Sequence, residues 1–203
     1  MLKEQEILNG VLMELGDISG WTALDMGSGP CAMAVSLAKK IGDGRVFAVD
    51  LYVGVMNNLR KALTEDQSLR TNVIKADLRR LDFLKDDFVD LVTAFDTLSV
   101  IEEYTPGGTP YVLNEARRVL KPGGRFVVLE HRPVASIKPV DKAEKVEVRW
   151  WKVHIDIQKA LGKTVGVEYT PEKLIEILED AGFSISHWKE TERGDVEEGM
   201  KFG

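Results

Sequence analysis

The sequence predicts an α/β fold built on a doubly wound, mostly parallel sheet. Short apolar segments alternate with amphipathic segments along the chain, and the connections between them are short. The apolar segments contain few polar residues, which is typical of strands covered by helices on both faces. One of these segments leads directly into a glycine turn at 27–29, and Pro30 then begins a helical pattern. No repeat or linker interrupts the pattern, so we expect one domain over 1–203.

The individual elements follow from the period of the apolar residues and from the turn residues between them. Helices are expected where apolar residues recur every three to four positions, at 2–15, 30–41, 53–64, 110–120 and 171–181. Strands are expected at the short apolar runs 21–26, 45–50, 72–77, 89–95, 125–130 and 183–188. Thr170 and Pro171 suit the start of the last helix, and Gly182 suits its end. The polar tail 189–203 leaves open whether a further strand follows.

Composition narrows the classes of function. The formal net charge of -6 argues against broad nucleic-acid binding, which needs a basic surface. No apolar run reaches the roughly 20 residues that cross a bilayer, and the first residues lack a signal-peptide pattern. We therefore expect a cytoplasmic protein that does not enter a membrane. The chain has one cysteine and three widely separated histidines, so no metal site is expected.

Three groups of residues are expected to meet at the carboxyl ends of the strands, where open α/β sheets bind ligands. The glycine turn lets a ligand approach bare backbone and the N–H groups of a helix N-terminus. Asp50 ends the second strand, where its carboxylate can accept hydrogen bonds from both hydroxyls of a ribose. Asp77 ends the third strand and can accept one from an exocyclic amine, and Leu51 and Leu78 can hold an aromatic base between them. The combination predicts an adenosine site.

Five short segments resemble a known family in their order along the chain. They are LDMGSG at 24–29, VD at 49–50, AD at 76–77, FVDLV at 88–92 and RVLKPGG at 118–124. The chain resembles the class I S-adenosylmethionine-dependent methyltransferases. It is most similar to the small-molecule branch that includes the ubiquinone/menaquinone biosynthesis C-methyltransferases. The resemblance implies a Rossmann-like fold, S-adenosyl-L-methionine as cofactor, and methyl transfer to a small-molecule acceptor.

The cofactor-binding residues that we expect combine the adenosine pattern with this resemblance. They are Asp25, Gly27, Ser28, Gly29, Asp50, Leu51, Asp77, Leu78 and Phe95. Asp25 is expected to order the glycine turn rather than to perform chemistry. The chain departs from the family at Cys31, where a third glycine is common. We expect Cys31 to be a small packing residue, and its place at a helix N-terminus could lower its pKa.

Catalysis in this family needs few reactive side chains, because the sulfonium of the cofactor is already a strong electrophile. The protein aligns donor and acceptor, excludes water and, where needed, takes a proton. The segment 95–99 is expected to line the gap between methyl group and acceptor, with Asp96 as the first candidate for positioning or general base. A hydrogen-bonded loop acid is the alternative for Asp96. Glu130 and His131 follow strand five and can face the acceptor, and His131 is the second candidate base. Tyr104 is expected in a loop that closes over the substrate.

The segment 132–169 interrupts the regular alternation and is expected to cover the acceptor. Within it, 141–161 fits either a helix with two apolar faces or two strands with a register break at adjacent tryptophans, and we favour the helix. The second apolar face of such a helix would cover an apolar substrate or meet a second subunit, so a homodimer is one expectation.

Three other functions fit parts of the sequence. The first is a cofactor-binding module without catalysis. The second is a methyltransferase that acts on RNA or protein, although the acidic balance disfavours RNA. The third is a nicotinamide-dependent oxidoreductase, because GSGPCA fits the pattern G-x-G-x-x-A and Asp50 stands where a ribose-binding acid is expected. No hydride-transfer set of side chains follows, and the turn at 121–124 is typical of methyltransferases.

Overall fold

Seven strands and seven helices make up the part of the chain that the computed structural model describes, residues 2–52, 59–130, 167–190 and 196–201. The strands are β1 (Thr22–Met26), β2 (Arg45–Asp50), β3 (Thr71–Lys75), β4 (Val89–Phe95), β5 (Leu120–Glu130), β6 (Ser184–Glu190) and β7 (Val196–Lys201). The helices are α1 (Leu2–Glu14), α2 (Ala32–Lys40), α3 (Leu59–Ala62), α4 (Glu65–Leu69), α5 (Leu98–Tyr104), α6 (Thr109–Val119) and α7 (Pro171–Asp180).

The strands form a single sheet in the order β3-β2-β1-β4-β5-β7-β6. Strands β1 to β5 run parallel to one another, whereas β7 pairs antiparallel with both β5 and β6. The chain starts at the centre with β1, moves outward to β3, and then returns to β4 on the other side of β1. This reversal of direction is the switch point at which open α/β sheets bind ligands. The predicted doubly wound, mostly parallel sheet is confirmed.

Helices cover the sheet on both faces, because alternate residues of the strands enter two separate hydrophobic clusters. Leu24 and Val92 belong to the cluster that contains the buried faces of α6 and α7. Ala23 and Leu91, their immediate neighbours along the strands, belong to the cluster that contains α1 and α2. Since successive side chains of a strand point to opposite faces, each cluster fills one side of the sheet.

Several predicted elements differ from those observed. The helix predicted over 53–64 is described only from residue 59, where α3 is short and α4 begins anew. Thr64 starts α4 with a capping box, in which its hydroxyl accepts the Gln67 N–H and its own N–H donates to Gln67 Oε1. Helix α5 was not predicted, and Tyr104 ends that helix rather than lying in a loop. Strand β7 answers the open question about the tail.

The motif at 121–124 lies at the amino edge of the sheet, opposite the predicted ligand site. The strand predicted from 125 already begins at Leu120, with a register shift against β4 between Val89 and Leu91. Lys121 Nζ donates to Asp90 Oδ1 at 2.7 Å, and the Thr22 N–H donates to Asp90 Oδ2 at 2.9 Å. These two contacts tie together the first residues of β1, β4 and β5. The segment that most resembles the methyltransferase family therefore holds the sheet and does not touch the predicted cofactor site.

Arg118, in the same motif, fastens the loop before β4 to α6. Its guanidinium pairs with Glu115 at 2.8 Å and with Asp86 at 2.8 Å, and it donates to the backbone oxygens of Leu84 and Leu81. We expect Arg118→Ala to lower the free energy of unfolding by about 2–4 kcal/mol, because the half-buried Glu115 carboxylate loses its counter-ion. Urea unfolding measures this loss. Arg117→Ala, one position along the same helix, is the control, and equal losses in the two variants would contradict the assignment.

Candidate active site

A cavity of about 870 Å³ opens at the carboxyl ends of the strands, beside the switch point between β1 and β4. It is lined by all the predicted cofactor-binding residues, Asp25, Gly27, Ser28, Gly29, Asp50, Leu51, Asp77, Leu78 and Phe95. Asp96, the first candidate for catalysis, lines it as well. His131 lies outside the described residues, as does most of 132–169, including all of 141–161. The fold thus brings residues from four strand ends to one cavity, and what each of them binds stays a prediction.

The glycine turn is held tightly against its neighbours. The N–H groups of Gly27 and Ser28 both donate to the Val49 backbone oxygen, at 2.9 and 3.1 Å. Gly27 has a φ of 72°, and a Cβ atom added there would lie 2.4 Å from Thr97 Oγ1. A side chain at this position is therefore excluded both by the backbone conformation and by the start of α5.

Cys31 adopts a backbone conformation that normally favours glycine. Its φ is 67°, and its side chain is fully buried at the start of α2. This conformation gives a physical reason for the third glycine that is common in the family. Burial, together with the charges of Asp25 and Asp50, raises the pKa of the thiol to about 12. The expectation of a lowered pKa was wrong, and the expected packing role fits the burial.

Asp25 is a buried carboxyl group with spare capacity to accept a hydrogen bond. Its Oδ1 atom accepts the Thr93 hydroxyl at 2.8 Å, while its Oδ2 atom is buried and has no hydrogen-bond partner within the described structure. Burial raises the pKa of Asp25 to about 6, against the opposing effect of the Thr93 hydrogen bond. Because Asp25 lines the cavity, a donor on a bound ligand can complete its hydrogen bonding.

Asp50 connects the end of β2 to the glycine turn. Its Oδ2 atom accepts the Gly29 N–H at 2.9 Å, and its Oδ1 atom accepts the Tyr52 N–H at 2.8 Å. A carboxylate has about four acceptor positions, so each oxygen keeps one for a further donor. These two free positions match the pair of hydroxyls on a ribose.

Asp77 lies two residues beyond the end of β3 and is held by a residue that the sequence analysis missed. Arg79 forks onto its carboxylate, with Nε at 2.9 Å from Oδ1 and Nη2 at 2.5 Å from Oδ2. This pairing is the main reason why the pKa of Asp77 is lowered. Leu78, between them, is buried, whereas Leu51 is 49% exposed at the rim of the cavity. The sequence did contain an indication of this pair, because a cationic residue follows the predicted Asp77 by two positions.

The far side of the cavity is mainly apolar and is formed by the ends of β4 and β5 and by α5. Phe95, Val100, Ile101, Tyr104 and Leu129 contribute to it. Asp96 stands among them with a φ of 48°, and its N–H donates to the Leu129 backbone oxygen at 2.7 Å. A positive φ is unusual for aspartate, and such conformations are common at functional sites.

Glu130 lies behind this wall and not in the cavity. Its Oε1 atom accepts the Leu98 N–H at 2.7 Å, so the carboxyl group holds the first turn of α5. Burial raises the pKa of Glu130 to about 7, and the nearby Asp96 charge adds to the shift. The expectation that Glu130 faces the acceptor was wrong, because its side chain is 1% exposed and positions α5 instead.

Comparison with known proteins agrees with the geometry. Residues 23–124, half of the chain, match the family model described as "Methyltransferase domain". A ubiquinone/menaquinone biosynthesis C-methyltransferase of Cupriavidus pinatubonensis is 31% identical over 160 residues, 76% of this chain and 60% of that protein. A demethylmenaquinone methyltransferase of Lactococcus lactis is 29% identical over 120 residues, 59% of this chain and 45% of that protein. The chain thus spans less than two thirds of the length of either relative.

Solved structures share the fold over almost the whole chain. An S-adenosylmethionine-dependent methyltransferase from Aquifex aeolicus superposes with a TM-score of 0.71 and 21% identity, covering 97% of this chain and 89% of that one. A second, from Mesorhizobium loti, has a TM-score of 0.68 and 17% identity, covering 95% of this chain and 96% of that one. At these identities the likeness shows the fold alone.

The sheet order, with the glycine turn and the strand-end acids around one cavity, defines an α/β protein with a Rossmann-like fold. The match to a family model identifies the family as well as the fold. The chain belongs to the methyltransferase domain family. This membership favours the methyltransferase expectation over the nicotinamide-dependent alternative. None of the helices in the described ranges has the length and apolar character needed to cross a membrane.

Proposed function

We propose that this protein transfers the methyl group of S-adenosyl-L-methionine to an apolar small molecule. The observation that carries the proposal is the two-sided lining of the cavity. The side formed by β1, β2 and the loop after β3 presents carboxylates and bare glycine backbone, whereas the side formed by β4, β5 and α5 is mainly apolar. A charged nucleoside cofactor suits the first side, and an apolar acceptor suits the second.

The polar side fits the cofactor in three places. The buried Oδ2 atom of Asp25 lacks a hydrogen-bond partner, and the ammonium of the amino-acid part would supply one. The two free acceptor positions of Asp50 suit the ribose hydroxyls. Asp77 suits the exocyclic amine of adenine, and Leu78 and Leu51 would contact the faces of the ring.

The cofactor, when bound, would supply a methyl group carried on a sulfonium, and its sulfur would keep the bonding electrons as a thioether after the methyl group passes to the acceptor. The residues of this chain would orient the two reactants and shield them from water. Phe95 and α5 would exclude water from the apolar side, on which Asp96 also lines the cavity. We assign to the Asp96 carboxylate the tasks of orienting the acceptor and of taking the proton that the acceptor loses. His131 is the second candidate for that proton.

The nature of the acceptor is inferred from the apolar wall and from the relatives. One relative is named a demethylmenaquinone methyltransferase and the other a ubiquinone/menaquinone biosynthesis C-methyltransferase. An apolar ring compound would suit the wall formed by Val100, Ile101 and Leu129. The proposal includes a single domain in which 132–169 covers the acceptor, a cytoplasmic location and a possible homodimer. The net charge of -6 favours a small molecule over RNA.

Calorimetry with S-adenosylhomocysteine, the product of methyl transfer, tests the proposal. The wild type should bind it and should not bind NADH. Asp50→Asn should weaken binding by about 10- to 100-fold, because the amide keeps one acceptor oxygen in place of two and has no charge. Asp43→Asn, an exposed acid before β2, should leave the affinity unchanged. Binding of NADH alone, or equal affinities for both variants, would contradict the proposal.

A further inference from the structure

We infer that Arg79 is a specificity-determining residue that fixes the Asp77 carboxylate so that the cavity selects a base carrying an exocyclic amine. The inference rests on the proposed function, because the base concerned is the adenine of the cofactor. Arg79 itself also lines the cavity.

Four contacts from one residue hold the Asp77 carboxylate. Oδ1 accepts the Arg79 backbone N–H at 3.0 Å and Nε at 2.9 Å. Oδ2 accepts Nε at 3.1 Å and Nη2 at 2.5 Å. Three N–H groups of Arg79 therefore hold both oxygens in one orientation, because the Nε–H is shared between them, and Oδ2 keeps an acceptor position for a further donor. Because the partners are only two residues apart, this arrangement forms locally.

A fixed orientation matters here because no strand holds Asp77. The residue lies beyond the last pair of the β2–β3 ladder, which ends at Lys75, and its side chain is 40% exposed. An unrestrained carboxylate at such a place turns to follow whatever donor approaches. A carboxylate with fixed lone pairs accepts an amine at one position. It repels a carbonyl oxygen at the same position, because two acceptors then face each other.

The guanidinium also keeps Asp77 in its charged form. Its hydrogen bonds hold the pKa of the carboxyl group below the usual range, so Asp77 stays an acceptor. Lysine in place of arginine would keep the positive charge but would not form the fork, since its ammonium is a single point of charge. The two contributions of Arg79, charge and geometry, are therefore separable by substitution.

The next residue provides a matched control. Arg80 pairs with Asp82 at 2.5 Å, again across two positions, and both side chains are largely exposed. Neither Arg80 nor Asp82 lines the cavity, whereas Arg79 and Asp77 both do. The two pairs thus share residue types and spacing and differ in their relation to the site.

The experiment measures calorimetric affinities for S-adenosylhomocysteine and for S-inosylhomocysteine, in which a carbonyl oxygen replaces the amine. The preference is the ratio of the two dissociation constants. We expect the wild type to prefer the adenosine compound, and Arg79→Met to reduce that preference at least about fivefold. Arg79→Lys should recover more of the affinity than of the preference that Arg79→Met loses. Arg80→Met should match the wild type in both respects.

The outcomes separate this inference from the proposed function. If the wild type binds neither compound, the proposed function fails and the inference fails with it. If the wild type binds with a clear preference and Arg79→Met keeps that preference, the proposed function stands and the role of Arg79 is wrong. A full restoration of preference by Arg79→Lys would show that charge alone matters and would also overturn the fixed-orientation argument.

Discussion

Gly27→Ala is expected to lower the free energy of unfolding by about 2–4 kcal/mol and to weaken binding of S-adenosylhomocysteine at least about 100-fold. Two effects add at this position. Alanine is strained at a φ of 72°, and its Cβ would lie 2.4 Å from Thr97 Oγ1 and 2.8 Å from Thr97 Cγ2. The start of α5 must then move away from the turn, which opens the cavity between its two sides. Urea unfolding and calorimetry measure the two losses.

Gly123→Ala separates the backbone strain from the clash. Gly123 has a φ of 75°, almost the same as Gly27, but an added Cβ there meets no atom of the described residues within 4 Å. We expect a loss of about 1–2 kcal/mol in stability and no change in affinity, since the residue lies at the opposite edge of the sheet. Similar effects of both variants on binding would contradict the role given to Gly27.

Thr97→Ala provides a second check, because it removes both of the atoms nearest to the added Cβ. Alone it destabilises, since the Thr97 hydroxyl donates to the Met26 backbone oxygen at 2.9 Å. Combined with Gly27→Ala it should restore part of the lost affinity. The double variant should therefore bind S-adenosylhomocysteine more tightly than the sum of the two single effects predicts. Simple additivity would show that the contact with Thr97 is not the cause.

The sheet could be predicted from the sequence because its strands are apolar runs with clear turns between them. The strand at 89–95 was placed at its observed bounds, since seven residues from Val89 to Phe95 are followed by polar residues. Helix α5 could not be found in this way. It spans seven residues, and among the residues described in it only Leu98 is buried, so it has no apolar stripe. Its position depends on Glu130, which lies 32 residues away.

Sequence reasoning could predict which residues line the cavity, but not their ion pairs or the shifts in their pKa values. Strand ends that meet at one edge of a parallel sheet must share a cavity, which is why Asp25, Asp50 and Asp77 lie together. The pairing of Asp77 with Arg79 depends on side-chain rotamers, which a spacing does not reveal. The pKa of Cys31 is raised because the side chain is buried, whereas its place at a helix N-terminus had suggested a lowered pKa.

Relative to the wild type, Glu130→Gln is expected to gain about 3 kcal/mol in free energy of unfolding as the pH rises from below about 5 to above about 7. Burial raises the pKa of Glu130 from 4.5 in the unfolded chain to about 7 in the folded protein. Between these two values the folded state holds a proton that the unfolded state releases. The free energy of unfolding of the wild type therefore falls as the pH rises through this window, and the loss from Glu130 is complete above it. Glutamine remains neutral and keeps an acceptor oxygen for the Leu98 N–H.

The measurement is the difference in unfolding free energy between wild type and Glu130→Gln, from about pH 5 to about pH 8. The difference cancels the contribution of Asp25, whose pKa is raised to about 6. Glu102→Gln is the control. Burial pushes the Glu102 pKa upward, but hydrogen bonds from Gly107 and Thr109 outweigh it, so the pKa is lowered.

The two substitutions should therefore differ in how their effects depend on pH. Glu102→Gln should destabilise by a constant amount over the whole range, because Glu102 is ionised throughout and its charge is favourable. The free energy of unfolding of Glu130→Gln, relative to that of the wild type, should increase steadily as the pH rises toward 7 and should stay constant above it. A difference that does not change with pH would show that the Glu130 carboxylate is already charged at the start of α5, in spite of its burial.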